Sequence, residues 1–448
     1  MKTEWFESAR LGERYCRVRI DGRPDVYVFS KNMTSTYALC AVRYGSIDRS
    51  YRLSGGETVT LPDGIAHFLE HKMFAQPDGT DAFDRFSALG ADANAYTTYD
   101  RTVYLFNCTS NFDGAFSALL DMVTHPYFTE ESVARERGII GQEIGMYDDD
   151  PDSACYMSML RALYGDHPLS TNVCGTVASI GKITPELLYD CHRVFYNPAN
   201  MVIIVCGAVD VAQVAGIVEH SYSPIKTLGV ERCVPSGLGA PVQKKISRRM
   251  QVAMPLFMMG FKERFADPDP GVRQRHDILA SILERMLFST SGELYNSLYD
   301  SGMITSPLSC GRLAEESYAY TELGGTAQNA EAVCDYIMSH IKNVRRQGLS
   351  KDDFVRCKRK RIGDAVSRFD STEEIANSLI GYAFDGLDLL DDINVIESVS
   401  FDELCALFEN MYLEENTAVS YVLPQDIYRH HRAIHEHGES QSKKGTEK

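Results

Sequence analysis

No segment of these 448 residues is apolar for long enough to cross a membrane. The opening Met1-Lys2-Thr3-Glu4-Trp5-Phe6-Glu7 holds no apolar stretch of signal-peptide length. No Cys-x-x-Cys pair occurs among the 12 cysteines. They are scattered, often inside apolar runs such as Tyr37-Ala38-Leu39-Cys40-Ala41-Val42. Buried free thiols in a reducing, cytoplasmic setting are therefore expected. Positive charge is also scarce: 45 basic residues face 62 acidic ones, a net charge of −17. That excludes nonspecific binding to nucleic acid or to an anionic membrane surface, and suits basic or unfolded peptides. What remains, 44% hydrophobic and 24% charged, is ordinary for a globular protein of two or three domains.

Against this background one motif stands out, His67-Phe68-Leu69-Glu70-His71. Two histidines four apart share a helix face about one turn, roughly 5.4 Å, apart. Two neutral imidazoles so placed can hold one zinc ion. Glu70 lies close enough to act as general base on a water at that ion. The order His-x-x-Glu-His is the inverzincin signature. A plain amphipathic helix, with Ile65, Phe68, Leu69 and Phe74 as core, is the bland alternative.

The coarse pattern surrounds that helix (63–74) with β-rich runs over 14–44 and a short helix from Asp81 to Leu89. Two strands follow, Ala93–Tyr99 and Thr102–Phe106, then helices Phe112–Val123, Thr129–Tyr147 and Ile183–Phe195, and a buried strand Met201–Cys206. The chain then repeats itself. Thr184-Pro185-Glu186-Leu187-Leu188 with Tyr196 and Asn200 matches Ser400-Phe401-Asp402-Glu403-Leu404 with Tyr412 and Asn416, at an offset of 216. Leu69-Glu70-His71 matches Leu283-Glu284-Arg285 at 214. Two duplicated halves follow: 1–225 with the metal site and 244–426 without it. A Gly/Pro-bearing linker covers 226–243, and a polar tail, 427–448, is expected to be disordered. In the second half His67 falls on Ser281 and His71 on Arg285, so one zinc per chain is expected.

A third ligand should come from another helix. Glu136 and Glu143, seven apart, lie on one face of the Thr129–Tyr147 helix. One could bind the metal and the other hydrogen-bond a ligating histidine, and spacing alone does not say which. Gly64-Ile65-Ala66-His67-Phe68-Leu69-Glu70-His71, Asn94-Ala95-Tyr96-Thr97 and Glu136-Arg137 with Glu143 together resemble the pitrilysin, insulinase and mitochondrial processing peptidase family. The likeness covers nearly the whole chain, including the degenerate second copy. It implies an α/β (α+β) fold of two homologous domains, each a mostly antiparallel sheet with packed helices, facing each other across a chamber. It favours Glu143, 72 residues past His71, as ligand and Glu136 as its support. It implies a zinc-dependent endopeptidase acting on peptides or unfolded segments, and a substrate backbone pairing with Asn94, Ala95 and Tyr96.

The chain also departs from that family. Active members carry an Arg and, seven residues on, a Tyr in the C-terminal half. Those positions fall here on Tyr299 and Ser306. A dimer, and in particular a heterodimer with a related subunit supplying the pair, is the expectation. A noncatalytic peptide-binding or structural subunit is the alternative, and a factor processing one dedicated precursor is a third. Other features read as structural: Asp148-Asp149-Asp150-Pro151-Asp152 as a helix end and turn, His125 before Pro126 as a turn residue, and Lys358-Arg359-Lys360-Arg361 as a solvated helix face. The tract Arg429–His437 reads as part of the polar tail.

Overall fold

The computed structural model describes residues 1–425, so the tail and its histidine tract lie outside the described residues. The first half contains β1 (Lys2–Ser8), β2 (Glu13–Arg19), β3 (Asp25–Ser30), β4 (Thr36–Val42), β5 (Ser50–Leu53), β6 (Thr58–Thr60), β7 (Ala91–Thr97), β8 (Thr102–Cys108) and β9 (Met201–Gly207). Its helices are α1 (Ile65–Lys72), α2 (Ala82–Ala88), α3 (Phe112–Thr124), α4 (Glu130–Asp149), α5 (Pro151–Tyr164), α6 (Val177–Ile180), α7 (Pro185–Phe195) and α8 (Val211–Ser221). Seven strands form one sheet in the order β1-β2-β3-β9-β4-β8-β7. Only β3 and β9 run parallel.

The continuous apolar runs of β4 and β9 have a simple cause: both strands are covered on both faces. Ala38, Cys40 and Val42, with Met201, Ile203 and Val205, pack into a core shared with α1, α3, α7 and α8. The alternating residues Tyr37, Leu39, Ala41, Val202, Ile204 and Cys206 face the other way.

The second half is built on the same plan. After β10 (Val230–Arg232) in the connecting stretch, its strands are β11 (Lys245–Met250), β12 (Leu256–Glu263), β13 (Ser309–Glu315), β14 (Tyr318–Thr326) and β15 (Thr417–Pro424). Its helices are α9 (Pro270–Phe288), α10 (Glu293–Asp300), α11 (Ala330–Gln347), α12 (Lys351–Ser367), α13 (Thr372–Asp385), α14 (Asp392–Ser398) and α15 (Phe401–Phe408). The sheet order β11-β15-β12-β14-β13 reproduces β3-β9-β4-β8-β7 strand for strand, with the parallel pair in the same place. Thr184 and Ser400 both cap the helix that follows, α7 and α15. The duplication read from the sequence is therefore a duplication of topology.

The halves exchange one helix each. Asp150 ends α4 and caps α5, its carboxylate accepting from Ser153 N–H at 2.8 Å. From there α5 leaves its own sheet and lies on β12 and β15 of the other half. Gly260 permits the approach, since a Cβ there would sit 2.2 Å from Met159 Sδ. The corresponding α13 lies on β4 and β9 of the first half, burying Ile375, Ala376, Leu379 and Ile380 against them. The stretch 226–243 contributes β10, which pairs with β5, and Arg232 binds the buried Asp48 carboxylate at 2.6 and 3.0 Å.

The basic run on α12 is only partly a solvated face: Arg359 and Lys360 are exposed, but Lys358 and Arg361 are engaged. Lys358 Nζ donates to the carbonyls of Glu397 and Val399 at 2.7 and 2.8 Å, and Arg361 reaches buried Asp392. Carbonyls at the end of α14 hold the lysine where solvent was expected. His125 is a turn residue at the end of α3, as read. All 12 cysteines are free and nine are buried. Among the described residues, no helix is long and apolar enough to cross a membrane.

Candidate active site

The motif lies on α1, which starts from Gly64 at φ +85°. A left-handed glycine is required there twice over, because a Cβ would sit 2.3 Å from the Cys174 carbonyl oxygen. Gly175, at φ +77°, presses back in the same way, its Cβ position 2.5 Å from the Asp63 carbonyl oxygen. Ser179 Oγ then donates to that carbonyl at 2.7 Å. The two backbones form a clasp that fixes the loop 172–176 against the start of α1.

Ile65, Ala66, Phe68 and Leu69 anchor α1 in the core, leaving His67, Glu70 and His71 turned toward α4 and β7. The α4 helix opens with a reciprocal Thr129–Ser132 cap and Glu130 and Glu131 in its first turn, both favourable at a helix N-terminus. It carries Glu136 and Glu143 to α1. His71 Nδ1 meets Glu136 Oε1 at 3.0 Å, while its Nε2 lies 3.8 Å from Glu143 Oε2. His67 Nε2 lies 3.7 Å from Glu143 Oε1. One carboxylate thus spans both imidazoles, and the other holds one imidazole from behind. Lys72 Nζ, 3.8 Å from Glu136 Oε2, holds that second carboxylate in turn. Glu70 Oε2 accepts from Thr97 Oγ1 at 2.7 Å, at the end of β7.

Burial shapes the charges. It pushes the His67 imidazole down to about 3, with His71 adding to the effect, so His67 keeps a free lone pair at neutral pH. Its Nδ1 is buried without a protein partner. Burial also lowers His71, but the Glu136 hydrogen bond and the surrounding carboxylates outweigh it and raise the net value. Glu70 is raised by burial, with Thr97 and His71 pulling the other way.

The donors fit a metal ion. Tetrahedral zinc with bonds of about 2.0–2.2 Å keeps N and O donors roughly 3.3–3.5 Å apart. The separations of 3.7 and 3.8 Å are that set loosened by a few tenths of an ångström. A further donor that spacing did not suggest lies beside His67 and Glu143. His67, Glu143 and Cys174 have donor atoms all within 4.8 Å of one another. A lone cysteine 103 residues past His71 carries no sequence signal, and only the Gly64–Gly175 clasp reveals it.

The strand β7 is the sheet's edge, paired on one side to β8, with Asn94 opposite Leu105, Ala95 opposite Tyr104 and Tyr96 opposite Val103. Asn94 Oδ1 accepts from the Ala95 N–H at 2.9 Å. Tyr96 is turned away from the metal donors. Its hydroxyl donates to Asn377 Oδ1 of α13 at 3.2 Å, and burial raises the phenol to about 12. Tyr299 stands exposed on α10, stacked on Tyr295.

The insulinase (peptidase family M16) model matches residues 57–177, and the peptidase M16 inactive-domain model matches 182–361. The chain belongs to the insulinase family of peptidases. An uncharacterized zinc protease of Bacillus subtilis, YmfH, is 34% identical over 94% of this chain and 99% of its own length. A second from the same organism, YmxG, is 24% identical over 79% and 87%. A crystal structure of an M16-like peptidase from Alicyclobacillus acidocaldarius superposes with a TM-score of 0.88 at 33% identity, covering 92% of this chain and 98% of that one. A Helicobacter pylori protease shares the fold at 17% identity and a TM-score of 0.78, over 92% and 100%.

The inactive-domain match covers the echo of the motif on α9. There Arg285 Nη2 donates to Asp364 Oδ2 at 2.8 Å, in the place where His71 faces Glu143. Glu284, the counterpart of Glu70, accepts from Cys310 Sγ at 2.9 Å.

Proposed function

We propose that the chain is a zinc endopeptidase with one ion per chain, held by His67, His71 and Glu143, with Glu136 fixing the His71 ring and Glu70 as general base. The observation that carries this is the Glu143 carboxylate lying across both Nε2 atoms, with Glu70 beside them. Zinc, when bound, supplies acidification of a water and polarisation of the scissile carbonyl. The protein's part is positional. Thr97 holds one oxygen of Glu70, leaving Oε1 to take a proton from the water and hand it to the leaving amine. Burial, which makes the carboxyl a better proton holder, suits both halves of that transfer. Glu136 commits His71 Nδ1 to one hydrogen bond and so presents Nε2 to the ion.

A substrate in extended form would pair with the open edge of β7 at Asn94, Ala95 and Tyr96, through backbone groups, since the Tyr96 hydroxyl is engaged elsewhere. In this reading residues 1–225 form the catalytic domain, 226–243 the linker and 244–426 its homologous partner. The free thiols suit a cytoplasmic setting. Tyr299 stands where the far wall's guanidinium is expected and Ser306 where its phenol is expected, so a dimer with a related subunit supplies the pair. Exposed Ile139, Met146 and Tyr147 along α4 border the site and give such a subunit or a peptide apolar surface.

The test is hydrolysis of a quenched peptide library with zinc counted per chain. Glu70→Gln is expected to keep the ion and lose cleavage, and full activity in that variant would sink the assignment. The isolated chain is expected to be nearly inactive and to gain activity with a subunit lacking His-x-x-Glu-His. Robust turnover by the pure chain would count against the partner.

A further inference from the structure

Cys174 stands where a metal ligand would. Its Sγ lies 3.6 Å from Glu143 Oε1 and 3.9 Å from His67 Nε2. A tetrahedral zinc with one sulfur at about 2.3 Å and one nitrogen at about 2.0–2.1 Å separates those two donors by roughly 3.5 Å. The sulfur is therefore as near to His67 and Glu143 as the accepted donor pairs are to each other, with His71 outside the group whose donor atoms all lie within 4.8 Å of one another. The clasp makes this placement part of the fold. Gly64 admits the Cys174 carbonyl, Gly175 admits the Asp63 carbonyl, and Asn172 Oδ1 accepts the Cys174 N–H at 2.9 Å. The side chain is buried, and no other thiol belongs to the donor cluster.

We propose that Cys174 is a fourth protein donor to the ion, so that the resting site is closed by His67, His71, Glu143 and Cys174. This rests on the metal reading above and goes beyond it. A catalytic zinc site keeps one position open, whereas four protein donors make a closed one. The resting chain is then latent toward water. Rotation about the Cys174 Cα–Cβ bond withdraws Sγ and opens the position without moving the clasped backbone. On coordination the thiol gives its proton to solvent, and on withdrawal it takes one back.

The experiment is cobalt(II) titration of the zinc-stripped full chain, read by absorption. Wild type is expected to bind one cobalt with a sulfur-to-cobalt charge-transfer band in the near ultraviolet. Cys174→Ala and Cys174→Ser should lose the band while still binding one cobalt, with zinc affinity lower by on the order of tenfold or more. Glu143→Gln, a control against adventitious binding at the other cysteines, should lose the band as well. One cobalt bound to wild type without a sulfur band overturns the inference and leaves the metal reading standing. No cobalt bound at all overturns the metal reading itself. If the Cys174 variants fail to fold, the wild-type and Glu143→Gln spectra still decide.

Discussion

The two halves share five strands in one order, the same capped helix before the closing strand, and a glutamate, buried in the first half and half-buried in the second, at the same place on the first helix. They differ in where positive charge comes from. The first half turns two imidazole lone pairs and the Glu143 carboxylate toward each other, an arrangement complete only with a cation between them. The second half has Arg285 bound to Asp364 at 2.8 Å and needs none. Burial raises both Glu70 and Glu284. A carboxyl raised by burial is thus a property of the shared framework, and the side chains facing it are what differ. One fold therefore carries a copy of the helix with candidate metal donors and a copy without them, separated by a few side chains.

The largest effect should come from paired changes at the two glutamates. Glu70→Gln is expected to lower peptide hydrolysis by about 10²–10⁴-fold, while Glu284→Gln leaves it intact, as measured by turnover of one quenched peptide. Equal losses would erase the distinction between the halves. Next is the support of His71. Glu136→Gln should weaken zinc about 10–100-fold by competition with a chelating dye, without changing stoichiometry at saturation.

A third difference is acid sensitivity. His192 Nε2 donates to the Val123 carbonyl at 2.9 Å, and burial pushes the imidazole down to about 4. The second half has Phe408 at the corresponding place, 216 residues on. The unfolded histidine, near 6.5, binds the proton first. His192 therefore costs no stability above about pH 6.5 and loses it as pH falls toward 4, by on the order of 2 kcal/mol for a partly exposed ring. His192→Phe should flatten the urea-unfolding stability between those pH values, and an unchanged slope would contradict it. The smallest effect belongs to the built-in cation. Arg285→Ala should cost about 1 kcal/mol of unfolding stability and leave bound zinc unchanged.

Much of this was legible in the sequence because it is local. A period of 3.6 places His67 and His71 on one face, and a spacing of seven places Glu136 with Glu143. Turn residues bound β7 and β8, and a constant offset exposes the duplication. What was hidden depends on chain crossings. The helix α5 carries apolar residues around most of its circumference, which says it is buried but not that β12 and β15 of the other half bury it. Cys174 reaches the metal donors only through two glycines whose carbonyl contacts are far apart in sequence. Lys358 reads as solvated until the end of α14 offers it two carbonyls.

The central claim is that the first half borrows a cation that the second half already owns. Zinc counted per purified chain, after dialysis, tests it directly in wild type, Glu143→Gln and Arg285→Ala. One, none and one are the expected counts. Full zinc in Glu143→Gln, or zinc lost in Arg285→Ala, would contradict the account.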